Sequence, residues 1–560
     1  MPQSLTPSRH TEAQVEVDVA IVGAGPVGLT LALDLAWRGI DVVVAETRHA
    51  HEPPSVKCGQ ISARSMEIFR RLGLSDTLRE LGLPADFPND IVSRTTTTGI
   101  ELTRVPLPSR GARRRPDAVG ADTWWPTPEH AHRVNQIFFE PVLSAHAASH
   151  PRIRLINRTM VEEFAQNGDG ATAMALNLDN DTRVQISARY LVGCDGARSM
   201  VRKGIGATLD GTPVIQRVQS TRIRAPDLLG RMSGKPAWLN YSLNPRRCGA
   251  LLAIDGKEQW LIHNFLYRDE ADFETVDRDW AIRAILGVGP EFHYEVISKE
   301  DWIGRRLVAD KFHEGRVLIC GDAAHLWIPH GGYGMNAGIA DAADLAWMLA
   351  ATLRGWAPPA ILAAYDAERR PITDQASRII AELAQRIITQ RRGITAEIEA
   401  EGPAGDAVRA RFGEEAHALD VEQQCCGGLN FGYFYANSPI IAYDGEPAPA
   451  YTMHKFTPST VPGCRAPHFW FDGRRSLYDA LGPDFSLIRT DPAAPAAGLI
   501  AAAEKRGVPL RLIDVDPAAA QPLYGHKLVL VRPDQHVAWR GDAPPPDALA
   551  LIDLVRGAAA

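Results

Sequence analysis

The stretch that most constrains this chain is GAGPVG, which places Gly23, Gly25 and Gly28 directly after the apolar run VDVAIV and directly before LTLALDLAWRG. The run ending at Val22 is short, β-branched and apolar, as a strand buried on both faces must be. Leu29, Leu33 and Trp37 then recur at helical spacing, Gly39 stops the helix, and IDVVVAE is a second buried strand ending at Glu46. Strand, glycine turn, helix and parallel strand make a βαβ unit, and a GxGxxG turn in that context binds a dinucleotide. The first glycine permits the tight turn, the second lets the backbone approach a pyrophosphate, and the third lets helix and strand pack closely. Pro26 lies inside the turn, where the helix start offers free N–H groups to the phosphates. Glu46, 18 residues past Gly28, suits hydrogen bonds from an adenosine ribose. It argues against a 2′-phosphate, because two anions would meet.

Charge and cysteine usage exclude several other classes. Lys plus Arg number 60 against 67 Asp plus Glu, a net charge of -7, opposite in sign to a nucleic-acid-binding surface. The longest uncharged apolar stretch, Val19 to Leu33, is broken by glycines and Pro26 and preceded by acids, so neither a membrane span nor a signal peptide is expected. The seven cysteines, Cys58, Cys194, Cys248, Cys320, Cys425, Cys426 and Cys464, contain no CxxC and no zinc spacing. No disulfide scaffold and no metal site is expected, and a reducing cytoplasm fits best.

At 560 residues, three or four domains are expected. The first fourteen residues read as a polar tail, with order beginning near Val15. ISARSMEIFRRLGL and RVNQIFFEPVLSAHAAS read as helices, RYLVGCDG as a strand entering a turn, and RGARRRPD, near Arg113, as a solvated basic loop. From Thr212 to Tyr294 the alternation in WLNYSLNP, GALLAI and QWLIHNFLY predicts an antiparallel sheet inserted into the first module. RVLICGDAAH restores a buried strand, an Ala-rich helix follows, and the last hundred residues carry an α/β pattern of their own.

Two further motifs carry a resemblance. CDGARSMVR puts Asp195 at a strand end, with Ser199 and Arg202 one turn on; GDAAHLWIPHGGYGMNAGIADAADLAW puts Asp322 at another, before a glycine-rich loop and a helix. With the GAGPVG turn, in this order and spacing, they resemble the FAD-dependent aromatic hydroxylases, the single-component flavoprotein monooxygenases that include phenol, chlorophenol and polyketide hydroxylases. The resemblance implies an α/β fold: a Rossmann-like FAD-binding domain over 15–83, 130–205 and 300–400, and an inserted antiparallel β-sheet substrate domain over 84–129 and 206–299. A connector over 401–446 and a thioredoxin-like C-terminal domain without CxxC over 447–560 complete the expectation.

The resemblance also implies roles. Gly23, Gly25, Pro26 and Gly28 would hold the FAD pyrophosphate and Glu46 the adenosine ribose. Arg133 and Gln136 of RVNQ look like the family's cofactor-contacting pair, and Asp195 belongs to a motif linked to FAD and NAD(P)H. Asp322 would bind the ribityl chain, with Pro329 and the loop carrying Gly332, Gly334, Met335 and Asn336 against the isoalloxazine ring. Lys57 stands where relatives commonly carry arginine, a point charge in place of a bidentate fork. The implied reaction is NAD(P)H- and O2-dependent hydroxylation of a phenolic ring through a flavin C4a-hydroperoxide, with NADPH the preferred reductant. Trp238, Phe265 and Tyr267 are candidate substrate contacts, and His263, Tyr241 and His330 candidate catalytic groups. A Baeyer–Villiger reaction on the same fold, a non-catalytic flavin-binding protein and a homodimer all stay open. The halogenase signature GWxWxIP is absent.

Overall fold

The computed structural model describes residues 11–115, 117–471 and 475–559. Its first sheet has a parallel core in the order Val317–Ile319, Arg183–Gly193, Thr11–Val22, Val42–Ala45, Ile153–Ile156. The hairpin Thr159–Gln166 and Ala171–Asn177 joins it antiparallel beside Arg183–Gly193. Residues 1–10 of the expected tail lie outside the described residues. The strand itself starts at Thr11 rather than near Val15, because its polar first turns hydrogen-bond to Arg183–Gly193. Backbone pairing, not apolar patterning, orders that segment.

Helix α1 (Pro26–Trp37) packs against helix α2 (Tyr333–Leu353). Leu29, Leu31, Leu33 and Leu35 of α1 and Leu345, Trp347 and Leu349 of α2 are all buried, so both helices are enclosed on every side. Trp37 ends α1 at 38% exposure, its ring flanked by the Arg38 and Arg71 guanidiniums.

The second sheet runs His325–Trp327, Trp302–Ala309, Leu209–Arg224, Gln259–Phe265, Gly249–Ala253, Leu239–Ser242, Ile91–Arg94, Glu101–Val105. Trp302–Ala309 and His325–Trp327 fall within the stretch that sequence boundaries give to the first module, yet their ladders run to Leu209–Arg224 and to each other. The inserted sheet therefore reaches to the edge of the loop that follows Trp327. Two helices lie across its ends and touch each other: α3 (Leu362–Arg392) on Trp302–Ala309 and His325–Trp327, and α4 (Pro403–Gln424) on Ile91–Arg94 and Glu101–Val105. The basic run near Arg113 is solvated at Arg114 and Arg115, as expected, but not at Arg113 itself. Arg113 is buried against the equally buried Asp122, 2.7 Å away, and Arg110 and Arg114 both pair with Glu80.

The tail folds as strand Phe485–Arg489, helix Ala497–Lys505, parallel strand Leu510–Asp514, hairpin Leu528–Val531 and Val537–Gly541, and closing helix Ala548–Val555. That is the thioredoxin-type order. Phe485 meets Trp347 and Trp356 edge-on at 6.0 Å. Fully buried Arg532 donates to Glu368 of α3 at 2.8 Å, to Asp344 of α2 at 3.1 Å and to Asp534 at 2.9 Å. Arg532→Leu strands three buried carboxylates without their cation, and the expected cost is about 3–5 kcal/mol. Urea denaturation followed by tryptophan fluorescence checks this; an unchanged midpoint would show that the tail does not depend on this pair.

Candidate active site

The glycine turn is built as its spacing requires. Gly23 has φ +102°, and a Cβ there would sit 2.5 Å from the Cys194 carbonyl oxygen; one at Gly28 would sit 2.0 Å from the Gly23 carbonyl oxygen. At Gly25 a Cβ would meet nothing within 4 Å, so the middle glycine faces open space. Pro26 occupies the first position of α1, where its missing N–H costs nothing. Glu46 accepts from the Ala24 N–H at 2.7 Å and from Arg48 Nε at 3.1 Å. Burial pushes its carboxyl up, but these hydrogen bonds outweigh that and hold it below the usual range. Glu46 thus fixes the turn itself, and Arg48, unmarked by the sequence reading, stands between it and Glu140.

Asp195 accepts from the Ser199 hydroxyl at 2.5 Å and the Met200 N–H at 2.7 Å, starting the helix Met200–Gly204. The structure therefore gives it a capping job. Asp322 differs. It sits in a short turn, is exposed to solvent, and is nonetheless enclosed by protein, which is the condition of a group inside a cleft. Enclosure pushes its carboxyl up, while His325 and Lys57 draw it back. Lys57 is exposed and its charge faces this cleft.

Past Asp322 the chain passes Pro329 and His330, turns through Gly331 (φ +70°) and Gly332 (φ +69°), and enters α2. Asn336 accepts from the Ser62 N–H at 2.8 Å and donates to the Gly332 carbonyl at 2.6 Å, stitching the loop to the segment carrying Lys57. A Cβ at Gly334 would meet nothing within 4 Å, and Met335 beside it is half-buried. The first N–H groups of α2 therefore face the same kind of open space as those of α1. Arg133 borders this region, buried and 4.5 Å from the Trp238 ring centroid. It donates to the Gln424 carbonyl at 3.2 Å, while its Nε and Nη1 have no partner. Gln136 donates to Glu140 at 2.6 Å. Two helix N-termini, an enclosed acid and a half-paired buried guanidinium thus frame a cleft suited to a long ligand with a phosphate-bearing end.

On the sheet side, Tyr241, Ala250, His263 and Ser220 form one transverse row, so their side chains share a face. Phe265 follows two residues after His263, while Tyr267 lies just past the strand end; both line a cavity of about 540 Å³. His263 is edge-on to Trp302 at 5.7 Å, with its Nδ1 unpartnered. Burial pushes His263 down to about 4 and His330 to about 3, so both are neutral. Trp238 lies over Arg133 rather than in this row.

Three groups that sequence reasoning missed come from the helices. Tyr241 donates to Gln423 Oε1 at 3.2 Å, and Gln423 Nε2 donates to His330 Nδ1 at 2.9 Å; Gln424 Nε2 donates to the Tyr241 hydroxyl at 3.4 Å. Because an amide nitrogen only donates, His330 accepts at Nδ1 and carries its proton on Nε2. The third group is Arg391, 3.7 Å over the Phe265 ring. An amide pair or an Arg-Arg pair at a helix end has no signature of its own, since both suit a solvated last turn.

A family profile described as "FAD binding domain" matches residues 16–379, and one described as "Aromatic-ring hydroxylase, C-terminal" matches residues 459–556. The chain belongs to the FAD-dependent aromatic-ring hydroxylases. It is 31% identical to FAD-dependent monooxygenase apdD of Emericella nidulans over 95% of this chain and 89% of that one. It is 30% identical to aklavinone 12-hydroxylase RdmE of Streptomyces purpurascens, over 96% and 98%. Among solved structures, chromopyrrolic acid-soaked RebC with bound 7-carboxy-K252c superposes with a TM-score of 0.88 at 34% identity, covering 98% of this chain and all of that one.

Two outcomes follow for this flavoprotein hydroxylase. Gly25→Ala should leave the apoprotein's thermal midpoint unchanged and weaken FAD binding about tenfold or more, whereas Gly28→Ala should lower the apoprotein's midpoint itself. Flavin fluorescence titration and a thermal melt on the same samples separate the two. The second concerns Asp420 of α4, which accepts from Ser93 Oγ at 3.0 Å and whose carboxyl burial pushes up to about 7. The folded state then holds a proton that the unfolded chain releases near 4, so this group's contribution is full below about 4 and lost as pH rises through 7. Asp420→Asn should remove that decline, giving a stability gain over wild type that grows from pH 4 to pH 8; a gain independent of pH would refute the assignment.

Proposed function

We propose that this enzyme hydroxylates a phenolic ring of a bulky aromatic substrate with O2, drawing electrons from NADPH. The substrate would lie between the row Tyr241–His263 and the His330 loop, with FAD in the adjoining cleft. In that reading the turn of Gly23, Gly25, Pro26 and Gly28 holds the pyrophosphate, and Glu46 with Arg48 borders the adenosine ribose. Asp322, Lys57, Arg133 and Gln136 line the middle of the cleft. Pro329, Gly332, Gly334, Met335 and Asn336 meet the ring system, where the α2 N-terminus favours negative charge. The open space at Gly25 and Gly334 and the unpaired nitrogens of Arg133 fit such a group. Bound FAD supplies the redox and oxygen chemistry that no side chain here can.

The observation that carries the reading is the polar chain Gln424, Tyr241, Gln423, His330. Every bond in it points the same way, so it ends on a neutral His330 whose Nε2–H is the donor left over. His330 stands on the loop between Asp322 and α2. There it would hold a substrate oxygen as an uncharged donor, orienting the ring rather than removing its proton. Burial raises the Tyr241 hydroxyl too, so it stays protonated and keeps the chain's direction. Trp302, Phe265 and Trp238 supply apolar walls that exclude water, as reduced-flavin oxygen chemistry requires. A cavity of about 540 Å³ exceeds what a single phenol ring fills. No helix among the described residues is long and apolar enough to cross a membrane, and the seven thiols are free; together these support a cytoplasmic site of action.

Purified protein should be yellow, and a phenolic panel should contain compounds that accelerate NADPH oxidation and emerge one oxygen heavier on the ring. NADH run alongside settles the reductant. Oxygen found inserted into a C–C bond, or no stimulation by any phenol, would sink the proposal. Tyr241→Phe breaks the chain while leaving the cleft intact, and kcat should fall about tenfold with FAD content unchanged.

A further inference from the structure

The cavity beneath Phe265 is unusual in its charge. It is lined by Arg217, Arg268, Arg391 and Arg392, together with Phe265, Tyr267 and Cys248, and by no carboxylate. That is a concentration of cations in a protein whose net charge is -7. Arginines close by are neutralised: Arg246 pairs with Glu399 and Arg247 with Glu270, both at 2.6 Å. Among the described residues no carboxylate lies within ion-pair reach of any of the four lining the cavity. Arg268 and Arg392 are exposed at the mouth and Arg217 is half-exposed; Arg391 is 6% exposed at the floor.

Arg391 is the informative member. Its guanidinium lies 3.7 Å from the Phe265 ring centroid and 5.8 Å from that of Tyr241, and its Nη1 is buried without a hydrogen-bond partner. With its carbon over the Phe265 ring and Nη1 unpartnered, the guanidinium has a donor free, and an arginine fork can grip a carboxylate with two bonds. Asp420, the acid whose charge reaches Arg391, is bonded to Ser93, its carboxyl is pushed up by burial, and it forms no ion pair with the guanidinium. His263 and His330 beside it are neutral. A buried guanidinium left without an anion is a costly arrangement that an incoming anion relieves.

We infer that the substrate carries a carboxylate, held by Arg391 at the cavity floor, with Arg217, Arg268 and Arg392 drawing the anion in from solvent. This rests on the proposed aromatic hydroxylation and adds to it the substrate's charge and its point of anchorage. Arg391 then fixes one end of the molecule, while the ring to be oxidised extends past Tyr241 toward His330. The funnel of three outer arginines raises the anion's local concentration and makes capture salt-dependent.

The probes are 1-hydroxy-2-naphthoate, its methyl ester and 2-naphthol, titrated into FAD-loaded enzyme and followed by flavin absorbance. Naphthoate should bind at least about tenfold tighter than the ester, a difference of ~1.4 kcal/mol. Arg391→Gln should erase that preference while leaving the ester's affinity unchanged, and Arg391→Lys should keep part of it. Raised salt should weaken the naphthoate and not the ester. Equal binding of acid and ester by the wild type, no saturation by naphthoate, or an equal loss for both probes in Arg391→Gln overturns the inference. The first two readouts need no variant, so a poorly folding substitution does not shelter the idea. Stimulation of NADPH oxidation by 2-naphthol alone tests the hydroxylase reading separately: its failure strikes that reading, whereas its success with no acid preference strikes only this one.

Discussion

The loop between Asp322 and α2 depends on one buried carboxylate. Asp341 of α2 accepts from the Gly321 N–H at 3.3 Å, from His325 Nε2 at 2.7 Å and from Arg369 Nε at 2.7 Å. His325 and Asp341 are fully buried, and Arg369 is 2% exposed. Burial pushes the Asp341 carboxyl up, yet Arg369 and His325 hold it below the usual range, so it stays charged. One side chain therefore pins the turn carrying Asp322, the strand His325–Trp327 and the helix α3 to the helix whose N-terminus faces the cleft. A neutral replacement could not satisfy Arg369 and the turn together, and an unpaired buried cation costs several kcal/mol, roughly the margin that keeps a domain folded. A second buried cluster lies close along the same helices, where Arg532 ties Asp344 and Glu368 to the tail. The cleft and the C-terminal domain are thus anchored on successive turns of α2.

Close packing at glycine explains why α1 and α2 approach so tightly. A Cβ on Gly338 of α2 would lie 2.9 Å from Gly321 Cα and 2.7 Å from Val27 of α1. Both helix starts are therefore brought beside the same turn, and their dipoles add over one strip of open space. The sheet on the substrate side contributes in a different manner. It supplies a row of side chains fixed by strand register, while α3 and α4 lay the polar groups over it.

Much of the cleft was legible because its chemistry is written in adjacent residues. Gly23, Gly25 and Gly28 constrain backbone geometry locally, and Asp322 follows a buried strand whose apolar run is visible in the sequence. Asp195 was legible as a turn acid, and its bonds to Ser199 and Met200 show that its first duty is to begin a helix. The substrate side was legible only in part. Alternation placed His263 and Phe265 on one face, but Arg391, which lies over the Phe265 ring, and Gln423 and Gln424, which bond Tyr241, arrive from helices more than a hundred residues later in the chain. Pairings at such separation leave no local periodicity. The same reason hid Arg113 against Asp122: a run of arginines looks solvated until a buried acid is folded over one of them. Trp302–Ala309 was misplaced because backbone pairing, not composition, decides which sheet a strand joins.

The parallel slot of Val317–Ile319 beside Arg183–Gly193 also sets a timetable. A ribosome makes this protein from one end, and the first βαβ unit emerges long before the strand, the turn and the helix that complete its far side. Until α2 has been synthesised, Val27 faces solvent where Gly321 and Gly338 will later press, and the glycine turn has only half its walls. Most strands of the second sheet are therefore made inside an unfinished neighbour. The nascent chain spends that interval with an apolar helix exposed, the condition in which partly made chains are prone to aggregate.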